Sequence, residues 1–141
     1  MTKASARERE RARRLLAYEG AAGGSSEACA TAAGRVYDQL NARLAPLLGS
    51  AGVQALFARS AKLTQTEFPR LAEAAVLESS TKLRACLEPL DPAVASETAE
   101  ALFGTFLSLV TTFIGERLTL QVLRHEWPTI EEATATTENK G

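Results

Sequence analysis

Catalysis and metal binding need particular side chains at particular spacings, and this chain has few of them. Its one histidine is His125, and its two cysteines, Cys29 and Cys86, stand far apart without a CxxC partner. Zinc sites draw on three or four His, Cys or carboxylate ligands at short, recurring spacings. No HExxH, HxxxH or CxxC run occurs, so no metal and no cofactor is expected. A serine or cysteine nucleophile needs a histidine base held by a third group. His125 instead precedes Glu126-Trp127-Pro128, in what reads as the last turn of a helix, where partial positive charge is favoured. Glu97 and Glu100 pair at helical spacing, but near a helix start, where the helix dipole accounts for them. The GAAGG run at 20–24 lacks the following lysine and the strand-to-helix setting of a phosphate loop. The expectation is a protein that is not an enzyme.

What remains is chemistry of contact. Arg117, Arg124, His125 and Trp127 gather at the end of the same helix. Arg near a helix C-terminus complements the dipole and Trp127 can cap the core; the functional alternative is that these four form a candidate protein contact, since Arg and Trp are enriched at protein–protein hot spots. A second candidate is a packing stripe. At 100° per residue, Gly104, Ser108, Thr111 and Gly115 fall on one narrow side of a helix, where their small size would let a neighbouring helix approach.

The element that positions both sets is the stretch 101–115, ALFGTFLSLVTTFIG, which carries no charge. Asp91-Pro92 is a start signal and Pro128 a stop, so the spacing predicts one helix over 91–126. Being apolar nearly all round, it should be buried. Spanning a membrane takes roughly 20 apolar residues. The charges at both ends, the hydroxyl residues and the two glycines argue against a transmembrane segment.

Three further helices are predicted, over 27–48, 53–67 and 70–87. The first steps through Cys29, Ala33, Val36, Leu40, Leu44 and Leu47 and ends at Gly49; the second turns Val53, Leu56, Phe57, Ser60, Leu63 and Thr64 inward. No run alternates with period two and no Asn-Gly or Asp-Gly turn is present. The fold class is therefore all-α: a four-helix bundle around a long buried C-terminal helix, or five helices with the N-terminal arm.

Residues 1–26 read as a basic helical arm and a Gly/Ser linker, 27–128 as the all-α core domain and 129–141 as a disordered tail. Residues 1–19 hold six basic and three acidic side chains, and the whole chain has a net charge of −1. The arm has few large apolar residues, so it is expected to extend into solvent. The near-neutral balance selects no nucleic acid. No apolar leader opens the chain, and isolated cysteines suit a reducing compartment; the expected location is cytoplasmic.

The run FLSLVTTFIGERLTLQVLRHEWP at 106–128 resembles a family of small, uncharacterised bacterial helical proteins. Their recurring pattern is matched here by Val110, Thr111, Phe113, Ile114, Gly115, Glu116, Leu118, Thr119, Leu120, Arg124, Trp127 and Pro128. A similar earlier helix covers 44–69. The resemblance implies the helical fold and no activity, cofactor or catalytic residue. The functional expectation is a small cytosolic helical module that binds protein, most simply itself as a homodimer. The alternative is a helical pocket for a small apolar ligand, lined by Phe103, Phe106, Phe113 and Trp127.

Overall fold

The computed structural model describes residues 6–20, 24–69 and 79–127. Six helices and no strand lie among them: α1 (Ala6–Tyr18), α2 (Ser26–Leu48), α3 (Ser50–Thr64), α4 (Ser80–Leu87), α5 (Pro92–Ile114) and α6 (Glu116–Glu126). The chain is all-α, as its periodicity predicts. The first part of the helix expected over 70–87, the tail 129–141, Pro128 and residues 21–23 of the Gly/Ser linker lie outside the described residues.

Helix α5 is the hub. Helices α1, α2 and α3 all pack against it, and α2 also carries α3 and α4. The aromatic centre joins three of them. The Phe57 ring of α3 stacks on Phe106 of α5 with centroids 4.0 Å apart and on Tyr37 of α2 at 4.5 Å, and meets Phe103 edge-on at 6.3 Å. The Gln54 amide donates to the Tyr37 hydroxyl at 2.7 Å, which satisfies a polar atom at the edge of this apolar centre. By length and composition α5 could cross a membrane, at a mean hydropathy of 1.2 over its most apolar window. However, 61% of that window is buried inside the protein, as befits a core helix.

Helix ends follow local chemistry. The Ser25 hydroxyl caps α2 by accepting from the Ala28 N–H at 2.9 Å. Pro46 lies inside α2, but the helix runs on to Leu48 and breaks at Gly49, whose φ is +82°. Ser79, with an extended backbone, caps α4 by accepting from the Lys82 N–H at 3.2 Å, so the helix expected over 70–87 is not continuous. Gly34 allows α4 its close approach to α2: a Cβ there would sit 2.7 Å from the Arg84 Cδ.

Three expectations are corrected. The basic arm is not solvated: Ala12, Leu15 and Leu16 are buried on α5. Its charges turn sideways. Arg11, with a side chain only 9% exposed, reaches Glu8 at 3.2 Å and Glu116 at 3.3 Å. The single helix over 91–126 is two, because Gly115 takes φ +91° and ends α5. Asp91 stands at the N-cap of α5 with Pro92 behind it, yet its side chain makes no capping bond.

The seat of α1 is testable. Leu15→Ala should cost about 2–5 kcal/mol in thermal or urea unfolding, while Leu47→Ala, at a half-exposed position, should change stability by less than about 0.5 kcal/mol. Equal losses from the two would contradict the docking of α1.

Candidate functional site

The four residues expected to form a contact patch do not face one way. Arg117, Arg124 and His125 are exposed on α6, but Trp127 is fully buried. Its indole N–H donates to Glu19 at 2.9 Å, at the end of α1. The expected exposed Arg/Trp patch is thereby corrected, and Trp127 is an anchor. Its neighbour Glu126 accepts from Arg43 of α2 at 2.7 Å. At the other end of α6, Glu116 accepts from Arg7 at 2.9 Å and from Arg11 at 3.3 Å. The hydrogen bond from Arg11 is the largest influence on the Glu116 carboxyl; together with the charges of Arg11 and Arg7 it outweighs desolvation and holds the group below its usual range.

The small-residue stripe is broken as well. Gly104 is buried and Ser108 and Thr111 are half-buried, but Gly115 has left the helix and is exposed. A Cβ on Gly115 would meet nothing within 4 Å. A side chain there is disfavoured by the positive φ, not by helices forced apart.

Groups with nucleophilic potential are held quiet. Burial, and then the charge of Glu100, push the Cys29 thiol up to about 11, far from a reactive thiolate. The hydroxyls of Ser60, Thr64, Thr98, Thr112 and Thr119 each donate to the carbonyl four residues back, at 2.6 to 3.0 Å. Among the described residues no three His, Cys, Asp or Glu side chains gather as a metal site.

An apolar groove of about 610 Å³ lies between α3 and the C-terminal half of α5. Leu109, Thr112 and Phe113 form its α5 wall, Gly52, Ala55, Leu56 and Arg59 form its α3 wall, and Leu48 of α2 also lines it. Phe113 is 67% exposed. The groove keeps only Phe113 of the four aromatic residues expected around a pocket: Phe103, Phe106 and Trp127 are fully buried. Sequence reasoning passed over the α3 wall. Its signal is present, since Gly52, Ala55 and Arg59 step by three and four along one helical face, but small residues carry little weight in an apolar count.

Comparison of the chain with protein-family models, with curated proteins and with solved structures gave no match.

The seat of α6 has a pH signature. The folded-state pKa of Glu116 is lowered from 4.5, so its stabilising effect is complete above the ordinary carboxylate range and is lost as pH falls through the lower folded value. Trp127 is the single tryptophan and reports on the seat by fluorescence. Acidification below about pH 4 should shift its emission in the wild type. Glu116→Gln should lose the component of that shift that belongs to the carboxylate; identical profiles would refute the assignment.

Proposed function

We propose that this chain is a non-catalytic protein-interaction module of the cytosol that pairs with a second copy of itself. The observation that carries this reading is the open apolar groove, with Phe113 standing 67% exposed on its wall. Phe113 and the groove beside it make an apolar surface open to a partner. It is also the shape that an isologous contact uses, since in a two-fold pair the same patch serves both copies. Phe113 supplies the projecting ring, and the space over Gly52 and Ala55 receives a ring.

The non-catalytic part is supported by the chemistry described above. The single histidine is exposed on α6, the Cys29 thiol is pushed up to about 11, and several hydroxyls are bonded to their own helix. The reading takes the arrangement as a bundle around α5, with α1, α2 and α3 along its sides. It also takes in the small bacterial helical proteins that the 106–128 run resembles. A second reading, a small apolar ligand in the same groove, draws on its volume, which lies within the range of ligand sites. A stoichiometric adduct on the wild type in native mass spectrometry would favour it.

Sedimentation velocity across a micromolar concentration series tests self-association. The wild type should show a monomer–dimer equilibrium, and Phe113→Asp should weaken it by at least about tenfold. Because Phe113 is mostly exposed, the variant should keep its thermal stability to within about 0.5 kcal/mol. A wild type that stays monomeric throughout the series would end this reading.

A further inference from the structure

We draw no further inference here: the strongest candidate, the apolar groove between α3 and the C-terminal half of α5, carries none, because nothing in the structure shows what covers it.

Discussion

Helix α5 has to be kept out of water, and the rest of the chain is arranged by how far that is achieved. Ala95, Ala99, Leu102, Phe103, Phe106 and Leu107 are all but fully buried. Their circumference is too broad for one neighbour, so α1, α2 and α3 each take a side. Cover fails toward the C-terminal end. Val110 is still buried, but Leu109 and Ile114 are half-buried and Phe113 is mostly exposed. The apolar groove is what remains where the helices that clothe α5 run out. Burial at about 25 cal/mol per Å² makes an uncovered Phe and Leu a standing preference for any surface that can shield them.

The two glycine corners decide where that happens. Gly49 and Gly115 have nearly the same backbone, φ +82° and +91° with ψ near 150°, and each directly joins two helices. In each corner the glycine N–H closes the preceding helix on the carbonyl four residues earlier. The glycine carbonyl accepts the N–H four residues later, at 3.0 Å for Val53 and 3.1 Å for Thr119. Each bend rests on one residue that tolerates positive φ. The helix that follows Gly49 is then locked by Val53, Leu56 and Phe57 in the core. The one that follows Gly115 buries only Thr119 and Leu123 before Trp127, and leans on ion pairs at each end instead.

This difference explains what could be read from the sequence. The all-α class, the span of α2, its end at Gly49 and the inward face of α3 are each carried by local signals: period and glycine. The break at Gly115 is not. A glycine inside an apolar helical run costs only about 1 kcal/mol, and the pattern continues past it through Thr119, Leu123 and Trp127, so periodicity alone joins what tertiary contacts divide. The docking of α1 was hidden for the opposite reason. Its apolar face is three residues wide, Ala12, Leu15 and Leu16, within a strongly charged segment. Its place depends on Arg11 meeting Glu116 more than a hundred positions away. The α3 wall of the groove was missed because Gly52 and Ala55 matter through the room they leave.

The polar residues around α6 complete the argument. Arg11, Arg43, Glu19 and Glu116 are charged groups on a mostly helical surface, and such pairs contribute little when fully exposed. Here Arg11 is held at 9% side-chain exposure and Trp127 is fully buried, so the same contacts fix the register of a helix that has too small an apolar face to fix itself. Leu123 and Trp127 supply its buried bulk, and the directional polar bonds set where that bulk is seated. The apolar face that α5 leaves open lies just before Gly115, the corner from which α6 departs.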